Sequence, residues 1–405
     1  MGSSSSKANA NIKVVVVGGN IAGINTAKAL ESKGFAVTIL EPREFAWISF
    51  AAFRASASPD SSWSKRMTVP LDRILKRGKV VRGTATGVNP TEKTVSYTDA
   101  QGAEGSLSFD YLVIATGATF ATPFQPVSND KAAAQAGLIA LGETIRSAKN
   151  VVIVGGGPCG LEFAGEIRDV SPNATIRIVH SGKTLLSGKG NVGVIPALSA
   201  KLVERLAIRK IDLSLNDRLV ESTNGTPHPI MGAAIQVGEK QTVTLSSGKV
   251  LSDVDLLVYA TGSKPNSGWL RSGPLVSAVG DDGTIQINRS YAVNGFPGIF
   301  SLGDVASGPD AKAGWHLPSG AGIIAANIAI LARTKKDAPV PKLKEGPKDG
   351  YQGILVVPIG KGDGAGLLPF GVVGPYLVKT IKGGDLFVGK LGADFGYKSK
   401  ELLAL

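Results

Sequence analysis

The sequence predicts an α/β fold with two parallel-sheet domains of one plan and a small α+β unit at the C-terminal end. Three observations predict it. A strand, a glycine turn, a helix and a second strand follow one another at Lys13–Glu41 and again at Asn150–His180. Each pattern is followed about 100 residues later by an apolar strand ending in Ala-Thr-Gly, first at Ala115-Thr116-Gly117 and then at Ala260-Thr261-Gly262. A late strand ends in Gly303-Asp304 and precedes an apolar helix, Ser319 to Leu331.

Val14 to Val17 read as a strand buried on both faces. The turn Gly18-Gly19-Asn20-Ile21-Ala22-Gly23 follows, then the helix formers Thr26 to Glu31, then an apolar strand from Phe35 to Leu40 that ends at Glu41. This reads as the opening βαβ unit of a Rossmann-like dinucleotide-binding domain; for this stretch alone, a plain strand–turn–helix with a glycine for packing is the alternative. Gly18 permits the tight turn and Gly23 lets the helix pack close to the sheet. The helix N-terminus offers free N–H groups and partial positive charge to a pyrophosphate. Glu41, 18 residues after Gly23, is placed to accept hydrogen bonds from an adenosine ribose. Asn20 stands where G-x-G-x-x-G has its middle glycine. Asn tolerates unusual backbone angles better than most residues, so Asn20 reads as a tolerated variant.

Pro42 to Ser62 reads as loop-rich and holds Arg43, Trp47, Phe50, Phe53 and Arg54. It is expected to cover the first nucleotide, with Arg54 reaching the pyrophosphate or the ring; simple packing is the alternative for the aromatics. Val80 to Tyr97 alternates as strands, with Gly102 and Gly105 marking a hairpin turn. The Tyr111–Gly117 strand end lets backbone pass close to a dinucleotide. In the second unit G-x-G-x-x-G is complete at Gly155, Gly157 and Gly160, after the strand Val151–Val154 and before the helix Leu161–Glu166. Cys159 inside this turn reads as a small packing residue. The second strand, Ala174 to Val179, ends at His180, 20 residues after Gly160. An acidic residue there favours NAD; His180, Ser181 and Lys183 offer donors and positive charge instead, which points to NADPH or to both cofactors. A neutral His180 stacked on adenine is the alternative. Arg218 to Val250 alternates as strands with turns at Asn224-Gly225 and Ser247-Gly248.

In a flavin site Asp304 would accept a ribityl hydroxyl, with the following helix N-terminus at the pyrimidine end of the flavin; a plain helix N-cap is the alternative, weaker once two dinucleotide turns are in place. A Lys- and Pro-rich linker, Thr334 to Gly350, leads to a unit from Tyr351 to Leu405. That unit begins with a strand, Gly353–Val357, continues with a glycine turn, Gly360–Gly366, and offers a helix or strand over Val372–Ile381. The expected domains are a polar, flexible N-terminal arm at 1–11, a discontinuous FAD domain at 12–118 and 262–335, an NAD(P)H domain at 119–261, and a linker and C-terminal domain at 336–405.

Composition narrows the classes. With 405 residues, 43% hydrophobic and 19% charged, the chain is an ordinary globular protein with a sizeable core. Its net charge of +12 suits nucleic acid, anionic lipid or an anionic cofactor. No long basic run chooses among them, and a dispersed solvated charge accounts for it. One cysteine excludes an intrachain disulfide and fits a reducing compartment. His180, His228 and His316 are scattered, so no Cys/His zinc site is expected. No apolar run reaches the roughly 18 residues of a spanning helix. The start, Met1-Gly2-Ser3-Ser4-Ser5-Ser6-Lys7, satisfies the N-myristoylation pattern at Gly2; a chance Ser-rich tail is the alternative. One acyl chain attaches only marginally, so a second signal such as the basic surface is needed.

Two glycine turns, two Ala-Thr-Gly strands and a late Gly-Asp in this order resemble the two-dinucleotide flavoproteins, the pyridine nucleotide-disulfide oxidoreductase-like superfamily, over roughly residues 12 to 335. The Met1-Gly2 start, the Ala51–Ser56 segment, the Gly360–Gly366 turn and Asp385-Leu386-Phe387-Val388 make the chain similar, over nearly its whole length, to the apoptosis-inducing-factor group and its ferroptosis-suppressor (myristoylated, mitochondrion-associated) branch. The resemblance implies an FAD-dependent NAD(P)H oxidoreductase in which hydride passes to the flavin and electrons pass on to a quinone, such as ubiquinone or a vitamin K-type naphthoquinone. It implies a peripheral place on the mitochondrial outer membrane, a lipid droplet or the plasma membrane. By resemblance FAD touches Gly18, Gly19, Asn20, Ile21, Ala22, Arg54, the backbone near Thr84, and Asp304, while Glu162 belongs to the nicotinamide site. Lys382 and Phe387 occupy the places that shape the flavin and quinone pocket; a solvated surface lysine is the plain alternative for Lys382. The departures are Asn20 and the absence of a lysine soon after Gly117. The lone cysteine excludes a disulfide reductase, which needs a redox pair. Two rivals remain. One is a reductase of a ferredoxin-like carrier. The other is a redox-gated nucleic-acid-binding factor with little turnover, for which no basic-aromatic stripe is present.

Overall fold

The computed structural model describes residues 9–120, 123–187, 196–222, 235–308, 314, 316–335, 337–339, 341–347 and 354–404. Gly2 and the rest of the Met1–Lys7 motif, the Asn224-Gly225 turn signal, and the Tyr351 and Gly353 starts of the C-terminal unit and its strand lie outside the described residues.

The first sheet has five parallel strands in the order Ile299–Ser301, Tyr111–Ile114, Lys13–Val17, Ala36–Glu41, Lys79–Arg82. Val14 to Val17 form its centre and are each at most 2% exposed, because both faces are covered. Strand periodicity divides them. Val14 and Val16 pack with Ile24, Ala27 and Leu30 of the Ile21–Ser32 helix and with Ala321, Ile324 and Ile328 of the Leu317–Leu331 helix. Val15 and Val17 point the other way, into a core with Leu112, Ile114, Val88 and Val95. The last two belong to an antiparallel meander of Thr84–Asn89, Thr94–Thr98 and Glu104–Ser108. Gly102, with φ 84°, lies in its second turn. Gly105, expected in that turn, lies in the strand opposite Tyr97, where the tyrosine ring covers its missing side chain.

The second sheet repeats the plan. Ile211–Ser214, Thr175–Val179, Asn150–Val154 and Val250–Tyr259 run parallel, and Ile235–Leu245 and Leu219–Ser222 extend the sheet antiparallel. Val151 and Ile153 pack on Leu161, Ala164 and Ile167 of the Pro158–Val170 helix, with Leu202 and Leu206 of the Pro196–Ile208 helix in the same core. Two crossings join the units, and they pair as a short antiparallel ribbon, Ala118–Thr119 with Lys264–Pro265.

Three expectations are corrected. Pro42–Ser62 is not loop-rich: Phe45–Trp47 pairs with Thr68–Pro70, and short helices run over Ala52–Ala57 and Ser62–Met67. All six residues Ala52–Ala57 are buried, since small side chains let this helix pack against the Lys131–Ser147 helix at Gly142, where a side chain would overlap the Ser56 carbonyl. The Gly360–Gly366 turn ends early, because Gly364–Leu368 is a strand paired with Leu355–Pro358. Val372–Ile381 divides into a strand, Gly371–Val373, a helical turn, Pro375–Val378, and a π-helical turn, Lys379–Gly383. The helices Lys131–Ser147 and Pro196–Ile208 carry no site motif, and motif reading passes over both.

The small third sheet, Leu355–Pro358, Gly364–Leu368 and Gly371–Val373, docks on the second unit. Gly165 admits the Ile359-Gly360 backbone, Asp169 accepts the Lys361 N–H at 2.7 Å, and Arg205 clasps Asp363 at 2.6 and 2.8 Å.

Candidate active site

The two glycine turns answer the same packing demand. Gly18 has φ 110°, and a side chain on it would overlap the Ala115 carbonyl; Gly155 has φ 122° and meets Ala260 in the same way. So the alanine of each Ala-Thr-Gly is the residue that its turn presses against. Gly23 would collide with the Gly18 carbonyl, and Gly160 with the Gly155 carbonyl, which brings each helix onto its turn. Gly157 is different: a β-carbon there meets no protein atom within 4 Å. The protein itself does not require glycine at that position.

Asn20 occupies the corresponding place in the first turn. Its backbone is extended, φ −112° and ψ −166°, an ordinary conformation, so tolerance of unusual angles is not what admits asparagine here. Its side chain makes no cap bond, and its Oδ1 is buried without a partner.

The strand ends facing the turns also correspond. The Gly19 N–H donates to Glu41 Oε2 at 2.6 Å, and the Gly156 N–H donates to His180 Nδ1 at 3.1 Å. Arg43 holds the other Glu41 oxygen through its N–H at 3.1 Å and Nε at 2.7 Å. Burial pushes the Glu41 carboxyl up, but Arg43 and the backbone N–H groups outweigh it, so the group ionises below the ordinary carboxylate range. A backbone N–H only donates, so His180 Nδ1 carries the lone pair and the ring is neutral; Nε2 lies 3.0 Å from the Thr184 carbonyl and 2.8 Å from Ser187 Oγ. Burial also lowers its pKa, ahead of an opposing bond to Thr184. The expectation that His180 presents positive charge to a second nucleotide is therefore corrected: both ring nitrogens are engaged within the protein.

A cleft of about 330 Å³ opens beside the first turn. Of the residues singled out from the sequence, Gly18, Asn20, Glu41, Thr84, Thr116, Gly117 and Asp304 line it, with Trp47, Phe120, Phe124, Asn266 and Trp269. Gly19, Ile21, Ala22 and Gly23 form the turn and helix start behind it. Gly155, Gly157, Gly160, Glu162, His180, Thr261, Gly262, Lys382 and Phe387 are not in its wall. Asn266 was missed by motif reading. Its N–H donates to Gly117, its carbonyl accepts from Thr116 Oγ1 at 2.8 Å, its amide donates to the Thr116 carbonyl at 3.1 Å, and its Oδ1 accepts from Thr119 at 2.6 Å. It ties the two Ala-Thr-Gly loops together; the Lys264-Pro265-Asn266 turn just after the second loop was the available signal.

Arg54 is not in the cleft wall either, which corrects its assignment to the pyrophosphate or ring. It is 4% exposed, and its Nε and Nη2 clasp both Glu166 oxygens at 2.9 and 2.7 Å. Its Nη1 donates to the Gly383 and Gly384 carbonyls at 2.8 and 3.0 Å. Lys382 is no surface lysine. It is 9% exposed, and its Nζ donates to Glu162 Oε1 at 2.5 Å. Burial pushes Glu162 up against the opposing pull of Lys382, and pushes Glu166 up against that of Arg54. Lys382 Nζ lies 5.5 Å from the centre of the Phe50 ring, and Phe387 meets that ring edge-on at 6.0 Å from a left-handed backbone, φ 62°. Cys159 is partly exposed as a residue, but burial of its thiol, with Glu162 nearby, pushes the pKa up to about 12. It remains a thiol, as a packing residue would.

Residues 12–334 match the family model described as pyridine nucleotide-disulphide oxidoreductase. The chain belongs to this family. It is 31% identical to apoptosis-inducing factor homolog A of Dictyostelium discoideum, over 84% of this chain and 85% of that protein. It is 28% identical to ferroptosis suppressor protein 1 of Taeniopygia guttata, over 94% and 95%. Among solved structures, the sulfide:quinone oxidoreductase from Aquifex aeolicus superposes with a TM-score of 0.66 at 19% identity, over 95% of this chain and 92% of that one. The resemblance to the apoptosis-inducing-factor group and its ferroptosis-suppressor branch is borne out. As a pyridine nucleotide-disulphide oxidoreductase, the chain is an FAD-dependent NAD(P)H oxidoreductase, with FAD and NADH or NADPH as cofactors. The residues present fit these groups: the unpartnered Asn20 amide oxygen, the open faces of Gly117, Gly157 and Gly262, and two helix N-termini suit two dinucleotides. This member of the family has one cysteine, so its electrons cannot leave through a cysteine pair of its own. No helix among the described residues is long and apolar enough to cross a membrane.

Proposed function

We propose that the protein reduces a quinone with NADH or NADPH at a membrane surface, where an acyl chain on Gly2 and the basic surface hold it. The reading rests on the Lys382–Glu162 pair, buried beside Phe50 and Phe387 in a chain without a cysteine pair. FAD would lie in the first cleft. There the Gly18–Gly23 turn faces its pyrophosphate, Glu41 its adenosine ribose, the backbone near Thr84 its adenosine half, and Asp304 a ribityl hydroxyl. The second turn, with Gly155, Gly157, Gly160 and His180, would hold NAD(P)H, with Glu162 at the nicotinamide end and Thr116, Gly117, Thr261 and Gly262 at the strand ends. Bound FAD supplies the acceptance of hydride from the nicotinamide and its release as electrons to the second substrate.

The remaining work falls to side chains of this protein. Reduction of a quinone to its quinol consumes two electrons and two protons. Lys382 Nζ and Glu162 Oε1, 2.5 Å apart, hold a proton between them in a water-poor setting. The ammonium also stabilises negative charge that develops beside it. Phe50 and Phe387 supply flat apolar faces for a planar acceptor. Support for the acceptor comes from the ferroptosis-suppressor relatives and the sulfide:quinone oxidoreductase fold.

The test is the visible spectrum of the purified protein. A flavin band should bleach with NADPH or NADH under argon and return when a short-chain quinone is added. A colourless preparation that stays colourless with added FAD overturns the reading. Flotation with anionic vesicles should require acylation, and Gly2→Ala should abolish it without altering turnover of a soluble quinone.

A further inference from the structure

Glu162 and Glu166 stand one turn apart on one face of the Pro158–Val170 helix, both buried. Two carboxylates so placed repel unless each meets a cation. Each does, and the cations come from opposite ends of the chain: Lys382 on Glu162 and Arg54 on Glu166. The Arg54 fork has donors left after the bidentate pair. They go to the carbonyls of Gly383 and Gly384, the two residues immediately after Lys382. These sit at the end of the π-helical turn Lys379–Gly383, where the wide turn disrupts the ordinary α-helical ladder. The result is a closed ring of buried contacts. It runs from Glu166 to Arg54, to the peptides after Lys382, through the lysine side chain to Glu162, and back along one helical turn.

We propose that Arg54 and Glu166 are positioning residues for Lys382: together they hold the turn that carries it, so that its ammonium stays on Glu162. Neither lines the cleft. Lys382 is held at both ends, by its ammonium on Glu162 and by the following backbone on Arg54. Lysine cannot replace Arg54, since a single ammonium cannot clasp a carboxylate bidentately and also bind two carbonyls. The charged neighbours agree. Along the helix from Glu166, Asp169 accepts from Arg209 and from the Lys361 N–H, and Arg209 also opposes the rise of the Glu166 carboxyl from a distance. Trp63 lies 5.3 Å from the Arg54 guanidinium on the other side, and among the described residues Arg54 is the cation in contact with Glu166.

The test uses full-length Arg54→Lys and Glu166→Gln, the second isosteric so that one variant folds if the first does not. Its first arm needs no cofactor and does not rest on the proposed function. In flavin-free protein, amine acetylation followed by peptide mass analysis should find Lys382 protected in the parent, with exposed Lys379 as the internal standard. In both variants the Lys382 rate should rise towards that of Lys379. The second arm rests on the quinone-reductase reading. Per bound flavin, kcat for quinone should fall about 10- to 100-fold through misplacement of the ammonium. KM for NAD(P)H should stay within about twofold. The flavin absorption band should move in the direction that Lys382→Met moves it, and Arg54→Lys combined with Lys382→Met should be no slower than Lys382→Met alone. Continued protection of Lys382 in both variants overturns the inference whatever the kinetics. A variant that melts earlier while Lys382 stays protected has lost stability alone and likewise overturns it. Exposure of Lys382 with unchanged quinone turnover upholds the positioning and overturns the quinone role of the lysine instead.

Discussion

Replacement of Gly157 by alanine separates what the fold requires from what the second nucleotide requires. The added methyl meets no protein atom within 4 Å, and φ is −81°, allowed to any L-residue. The residue caps the Pro158–Val170 helix, where alanine is poorer than glycine by about 0.5–1 kcal/mol. The melting temperature should therefore fall by only about 1–3 °C. The methyl does occupy the space above the turn, where the helix amides would face a pyrophosphate. Losing one hydrogen bond to a charged group costs about 1.5–3 kcal/mol. That corresponds to about 10- to 150-fold in affinity. Gly160→Ala is the contrasting variant. Its methyl would overlap the backbone carbonyl of Gly155, so no flexible side chain is there to yield. The cost is about 1–3 kcal/mol of overpacking or more, and it appears as lost stability. The assays are differential scanning fluorimetry, flavin content, and KM for NADH and NADPH per bound flavin. If Gly157→Ala kept its KM and lost its flavin instead, the second turn would hold FAD and the two nucleotide assignments would be reversed. If it changed neither, the turn would face no phosphate at all.

Glu41→Gln keeps an acceptor for the Gly19 N–H but loses the ion pair with Arg43; flavin retention on dialysis should weaken about tenfold. Because the folded Glu41 ionises below 4.5, its contribution to stability is present above that pH and fades as pH falls through the folded value. The variant should thus flatten the acid side of the melting curve against pH, and an unchanged slope would count against the pair. His180 has a folded pKa below 6.5, so its neutral ring stabilises the turn above that pH, and the contribution is lost as pH falls towards the folded value. KM for NAD(P)H should accordingly stay flat through 6.5 and rise only as pH falls to the lower folded value, while flavin stays bound. His180→Glu places a carboxylate where Glu41 stands in the first unit and should shift kcat/KM from NADPH towards NADH, with an unmoved ratio ruling out ribose contact. With its thiol pushed up to about 12, Cys159 should react slowly with iodoacetamide in the folded protein and rapidly in denaturant; equal rates would mean the thiol is not shielded.

Much of the fold was legible because its signals are local. A four-residue β-branched run, a glycine turn and a helix start lie within 20 residues of one another, and the second copy repeats the pattern. The Pro42–Ser62 helices were not legible, because Ala52–Ala57 is helical through burial against three other helices rather than through a pattern of its own. Gly18, Asn20, Glu41, Thr84, Thr116, Gly117 and Asp304, singled out from the sequence as cofactor contacts, share one cleft wall, all near strand ends. Asn266 was not, since its task is to join two loops 150 residues apart.

By its own spacing, then, the chain determines two nucleotide turns, the strands that feed them and the absence of a cysteine pair, since each depends on neighbours along the backbone. Tertiary structure alone decided that Arg54 leaves the cleft for Glu166, 112 residues away, and for Gly384, 330 residues away. It alone buried Lys382 on Glu162, 220 residues away, and made His180 a neutral acceptor. The physical reason is common to all three: the role of a charged or titratable side chain is set by the partner that desolvates or pairs it, and that partner is chosen by packing rather than by sequence distance.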